Sequence, residues 1–184
     1  MNVRERTLAD TQALSALLRR VHETDGYPTV WPSDVGRWLV SDSAYEAWVA
    51  DLNGSVVGHV SLSRPGSRAA TRVWVAATQR PIERLAAVTR LFAAPEARGT
   101  GVGRRLLQHA VDAAHRRDLW PVLDVRQDGS PGGSRLYEAA GWRVVGSAPL
   151  RLATEVVLPF DYWIGPPPTS RRVSGRRANV GGLS

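Results

Sequence analysis

At 184 residues, 43% of them apolar, the chain is long enough for one domain with a core of its own. It has no cysteine, which excludes disulfides, thiolate metal sites and a cysteine nucleophile. No run of about 18 apolar residues is present to span a membrane, and MNVRERTLAD lacks the apolar stretch of a secretory signal, so a cytoplasmic location is the default expectation. The net charge of +7 is uneven, because residues 165–184 hold Arg171, Arg172, Arg176 and Arg177 and no acid. The body carries less than half of the excess, so the high pI argues weakly for nucleic-acid binding by the folded part. All 24 basic residues are arginine.

NVRER (2–6) reads as a short strand, and Leu8, Leu14, Leu17, Leu18 and Val21 give helical spacing over 8–23. HETDGYPTVWPSD follows as a loop, then a short helix over 33–40 capped by Ser33 or Asp34. YEAWVAD (45–51) and SVVGHVSLS (55–63) flank Leu52-Asn53-Gly54, a hairpin signal. A helix is expected near 68–78, and the apolar run 84–93 suits a central strand.

The clearest helix covers 101–117. Val102, Leu106, Leu107, Ala110, Val111 and Ala114 form one face, with Arg104, Arg105, Gln108, Asp112, His109, His115 and Arg116 read as solvated. Residues 121–125 read as a buried strand. A second helix begins at Pro131 behind a Ser130 cap and ends at Gly141. Strands near 142–147 and 154–162 complete a mixed sheet with helices on both faces. The expected domain is 1–164, with a flexible Arg/Pro/Gly-rich tail over 165–184.

PEARGTGVGRRLL (95–107) puts Gly99, Gly101 and Gly103 at a helix mouth, where unpaired N–H groups and the positive end of the dipole suit an anion. Without lysine it cannot be a Walker A loop. The dinucleotide fingerprint G-x-G-x-x-G fails too, because Arg104 stands at its third glycine, even though Asp124 lies about 20 residues on. A glycine turn that only caps the helix would explain one glycine, not three.

Arg98-Gly99-Thr100-Gly101-Val102-Gly103 resembles the [Q/R]-x-x-G-x-[G/A] loop of the GCN5-related N-acetyltransferases (GNAT). Leu91-Phe92-Ala93-Ala94-Pro95 is similar to that family's fourth strand and its exit, and SRLYEAAGW (134–142) to its L-Y-x-x-x-G-[FW] segment. The resemblance implies an α/β (α+β) fold: a mixed, mostly antiparallel sheet of about six or seven strands with helices on both faces and a splayed central parallel pair. It implies acetyl-CoA as co-substrate. Its pyrophosphate would meet the amides of Arg98, Gly99, Thr100, Gly101, Val102, Gly103 and Arg104, and its pantetheine would run along Leu91, Phe92 and Ala93. Ser130, where many members have Asn, would contact the pantetheine. Tyr137 would be the acid that protonates the leaving sulfur.

The reaction implied is direct attack by an amine in a ternary complex, without metal; no His/Asp/Glu cluster has metal-ligand spacing. The candidate bases are Glu23, Asp25, His22, His59 and Glu83. Aromatics and acids together suit a cationic amine, so Glu23, Asp25, Tyr27 and Trp31 are the acceptor-site candidates and a small amine the expected acceptor. No membrane or nucleic-acid partner is expected, and a homodimer is left open. A module that binds acyl-CoA without turning it over is the alternative.

Overall fold

The computed structural model describes residues 1–40, 43–66, 68–127, 131–151 and 157–168. Its seven strands are β1 (Asn2–Glu5), β2 (Ala44–Leu52), β3 (Ser55–Ser63), β4 (Leu85–Ala93), β5 (Trp120–Arg126), β6 (Arg143–Arg151) and β7 (Val157–Ile164). The helices are α1 (Thr11–Asp25), α2 (Val35–Leu39), α3 (Arg68–Thr78), α4 (Val102–Arg116) and α5 (Pro131–Ala139). The sheet order is β1-β2-β3-β4-β5-β7-β6, and only β4 and β5 run parallel. Among the described residues no helix is long and apolar enough to cross a membrane.

Strand alternation assigns the layers. A Cβ on Gly58 would meet Leu106 and Val102, so that face of β3 lies under α4. His59, the next residue, points the other way and stacks on Phe92, whose ring meets Tyr27 of the α1–α2 connection. Val73 and Trp74 of α3 touch Gly146 and Tyr162 on this same side. Helices α1, α2 and α3 thus cover one face. The other is covered by α4 and by α5, whose Tyr137 meets Trp163.

The apolar face read for α4 is its buried face: Val102, Leu106, Leu107, Ala110, Val111 and Ala114 are all in the core. Leu107→Ala there would cost about 2–5 kcal/mol. His109 and His115 are only partly exposed, and each has a protein partner. His109 packs edge-on against Trp48 at 5.1 Å, and His115 Nε2 lies 3.0 Å from the carbonyl of Pro166. Gly165 and Pro168, counted with the tail in the sequence reading, are buried, and Gly165 N–H donates to Pro121 O at 2.9 Å. Residues 169–184 lie outside the described residues, as does Ser130. Asp34 caps α2 by accepting from the Arg37 N–H at 2.9 Å.

Candidate functional site: a cleft where two parallel strands part

Strands β4 and β5 pair only at Leu85↔Trp120, Ala86↔Pro121 and Ala87↔Val122. Beyond these the partner of β5 is β7, from Val122 to Arg126, while β4 stays on β3 as far as Ala93. The inner edge of β4 past Ala87 therefore faces a cleft, with main-chain groups available to an extended ligand. This is where Leu91, Phe92 and Ala93 were expected to meet pantetheine.

A bulge shapes that edge. His59 pairs with Phe92 and Ser61 with Thr89, so Arg90 and Leu91 together oppose one residue, Val60. Arg90 takes a left-handed φ of 51°, and its carbonyl accepts from His59 Nδ1–H at 2.9 Å. The bulge sends both Thr89 and Arg90 to the α1–α2 side.

On the α4 side, the turn Pro95–Ala97 leads into the glycine loop. Gly99 and Gly101 have φ of 74° and 87°, with open space where a Cβ would stand. Backbone sign is thus what demands glycine at these two positions. Gly103 is glycine for another reason: a Cβ there would press on Leu136 of α5 at 3.3 Å. Arg105 N–H closes onto Gly101 O at 3.0 Å, so the amides of Val102, Gly103 and Arg104 lie in the first turn, where no intrahelical acceptor exists. These amides could hold a diphosphate, and the β4 edge the chain behind it. Arg104 and Arg105 are exposed beside it.

Tyr137 is half-buried between Trp142 and Trp163, at 6.0 and 5.9 Å. Burial first, then the charge of Asp124, pushes its hydroxyl up to about 12, so it stays protonated at neutral pH. Asp124 is the residue that sequence reasoning missed. It was weighed only against a dinucleotide fingerprint. The available signal was a lone acid in the apolar strand PVLDV, alternating with core Leu123. Its side chain is exposed on β5 next to the split, while desolvation by the protein around it raises its carboxyl above the ordinary aspartate value. The charge of Asp124 also raises the hydroxyls of Tyr27 and Tyr162.

The other base candidates go elsewhere. Glu83 sits in a turn before β4, at the closed end of the β4–β5 pair, roughly 26 Å along the strand from Leu91. His59 is fully buried, and burial lowers its imidazole to about 4. Its Nδ1 is committed to Arg90 O. His22 is a loop staple, with Nδ1 3.0 Å from Pro28 O and its ring 5.1 Å from Trp31.

Of the acceptor-side candidates, the structure brings only Tyr27 into the cleft region, against Phe92 and Trp38, each at 6.3 Å. Asp25 pairs with Arg98 of the glycine loop, and Glu23 is exposed on α1. Of the two rings expected to receive a cationic amine, that of Trp31 already holds a cation, with Arg19 5.4 Å from its centroid, and beside Tyr27 the Trp38 ring carries Arg90 at 4.9 Å. Arg126 Nη1 donates to Thr29 at 3.1 Å, spanning from β5 to the α1–α2 connection.

The sheet thus opens between two parallel strands, with a helix mouth of free amides on one side and Asp124 on β5 at the split. The match to the family model "Acetyltransferase (GNAT) family" spans residues 11–142, and the chain belongs to that family, whose members use acetyl-CoA. Among solved structures it resembles a ribosomal-protein-alanine N-acetyltransferase from Brucella melitensis, at 19% identity and TM-score 0.66, over 89% of this chain and 98% of that one. It also resembles an N-acetyltransferase from Staphylococcus aureus Mu50, at 15% and 0.67, over 89% and 96%. A third likeness is to a putative acetyltransferase from Salmonella typhimurium with its cofactor acetyl-CoA, at 19% and 0.62, over 89% and 92%. At these identities the likeness is one of fold. No curated protein matches the chain.

Proposed function

We propose that the protein moves the acetyl group of acetyl-CoA to the nitrogen of a small amine, with Asp124 as base and Tyr137 as donor to the leaving sulfur. The observation that carries this reading is that β4 and β5 part after Ala87–Val122, with the Asp124 carboxyl on β5 raised and the Tyr137 phenol on α5 held protonated.

Acetyl-CoA supplies the activated acyl group. The diphosphate would rest on the amides of residues 98–104, and the pantetheine along Leu91, Phe92 and Ala93. A neutral amine entering from the α1–α2 face attacks the thioester carbon, forming the C–N bond. The carbonyl oxygen gains negative charge, which β4 N–H groups at the open edge can stabilise. The attacking nitrogen loses its proton to Asp124, directly or through one water. As the C–S bond breaks, the electron pair goes to sulfur and the Tyr137 hydroxyl donates to it, regaining its proton from solvent. Burial raises the Asp124 carboxyl, which makes it a stronger base than an ordinary aspartate for this task.

Calorimetry with acetyl-CoA, followed by thiol release against an amine panel, tests the reading. Binding, with one thiol released per amide formed, is the expected result. No binding at high micromolar acetyl-CoA, or binding with no turnover on any amine, overturns it. The second outcome would mark a module that binds without turnover.

A further inference from the structure

Two opposite charges share the acceptor side of the cleft without forming an ion pair. Arg90 stands on β4 with its guanidinium 4.9 Å from the Trp38 ring, against which Tyr27 packs, and Asp124 stands on β5 across the split, on the face it shares with Tyr162. Each lacks the other. Among the described residues Arg90 makes no ion pair with any carboxylate, and its Nε is buried without a hydrogen-bond partner. Its one side-chain hydrogen bond is long, 3.4 Å from Nη1 to Thr89 Oγ1.

The surroundings strengthen the positive end. Arg6 lies close enough to repel Arg90, and its Nε and Nη1 are buried and unpartnered. Asp10, the nearby acid, is taken by Arg4 at 2.7 and 2.9 Å. Below them, Ser61 Oγ is fully buried without a partner. Holding a half-buried guanidinium with an open valence is costly unless a ligand completes it. The bulge and the left-handed backbone at Arg90 fix its aim toward Trp38 and the α1–α2 side.

We infer that the acceptor is an amine that also bears an oxyanion, a carboxylate by preference, held by Arg90 while its nitrogen faces Asp124. This rests on the acetyltransferase reading above and narrows its substrate class. It also replaces the cationic-amine expectation, since a polycation would meet the guanidinium of Arg90 beside Trp38. Tyr27, between the two charges, would pack the carbon skeleton that joins amine to acid.

The test uses the full chain, acetyl-CoA, and a panel of L-α-amino acids and straight-chain ω-amino acids, each beside its carboxamide. At least one acid should be acetylated with kcat/KM tenfold or more above its amide. Arg90→Gln should then raise KM for that acid about tenfold, leave its amide's KM unchanged, and erase the preference, with Arg90→Lys restoring part of it. Unchanged calorimetric affinity for acetyl-CoA confirms that the variant is folded. Amides or simple alkylamines outperforming the acids, an absence of acetylated acids in the panel, or a preference that survives Arg90→Gln, overturns the inference. Turnover on neutral amines alone would defeat this inference and leave the acetyltransferase reading standing, whereas absent acetyl-CoA binding would defeat both.

Discussion

The carboxylate of Asp25, at the end of α1, grips the guanidinium of Arg98 in the glycine loop. Helix α1 is thereby tied to the glycine loop, which we propose holds the diphosphate. Asp25 is only modestly exposed, whereas Arg98 is about half exposed, so the bridge itself adds less than about 1 kcal/mol to stability. Its larger effect is on ligand charge. Arg98→Ala leaves a bare carboxylate beside the diphosphate and should weaken acetyl-CoA by about tenfold, or roughly 1.4 kcal/mol. The Asp25→Ala/Arg98→Ala double variant should recover part of that loss. Calorimetry on the four corners of this cycle checks it. Additive losses would show that the two side chains do not act together.

Gly101 sits at φ 87° with nothing above it. Gly101→Ala should cost about 1–2 kcal/mol through backbone strain, although no atom is in the way. Thermal unfolding would read this as a fall of a few degrees. A variant as stable as the parent would show that the loop does not depend on this left-handed turn.

Tyr137→Phe keeps the ring between Trp142 and Trp163 and removes only the hydroxyl. kcat should fall by about 10²-fold while KM for acetyl-CoA changes little. A loss confined to KM would make Tyr137 a packing residue.

His59 gives a stability signature. Buried among Arg6, Arg90 and Asp10, its imidazole titrates near 4, below the unfolded value. The unfolded chain binds a proton first, so stability is intact above pH 6.5 and declines as pH falls from about 6.5 towards 4. Asp124, raised in the fold, acts with the opposite sign, and Asp10, lowered by Arg4, loses its contribution at more acidic pH. Urea unfolding at pH 7 and 5 should show the decline, and His59→Gln should flatten it. An unchanged slope in the variant would assign the proton uptake elsewhere.

The donor half of this site is written locally in the chain. Glycines at 99, 101 and 103, an apolar strand before them and Tyr137 after them lie in two short motifs, and it is the resemblance of those motifs to one family that marks them. The acceptor half depends on what distant segments do to each other. The acids of the HETDG stretch looked free to bind an amine, yet Asp25 is claimed by Arg98, 73 residues away. The ring of Trp31 looked available, yet Arg19 covers it. The importance of Asp124 and Arg90 comes from the parting of two strands and from a bulge, which no local pattern announces. Helix α3 was legible from its own spacing, but its seat on Gly146 and Tyr162 was not.

The raised carboxyl of Asp124 also fixes the pH profile. The base must be ionised, so kcat/KM should fall as pH drops through a value above the ordinary aspartate pKa, and Asp124→Asn should lose that limb.

The most direct measurement is thiol release by the parent and Asp124→Asn, each saturated with acetyl-CoA and supplied with an amine the parent accepts. The expected result is turnover in the parent, a fall of about 10²–10⁴-fold in the variant, and an unchanged dissociation constant for acetyl-CoA. Full turnover by Asp124→Asn would contradict the account, as would a parent that binds acetyl-CoA and releases no thiol to any amine.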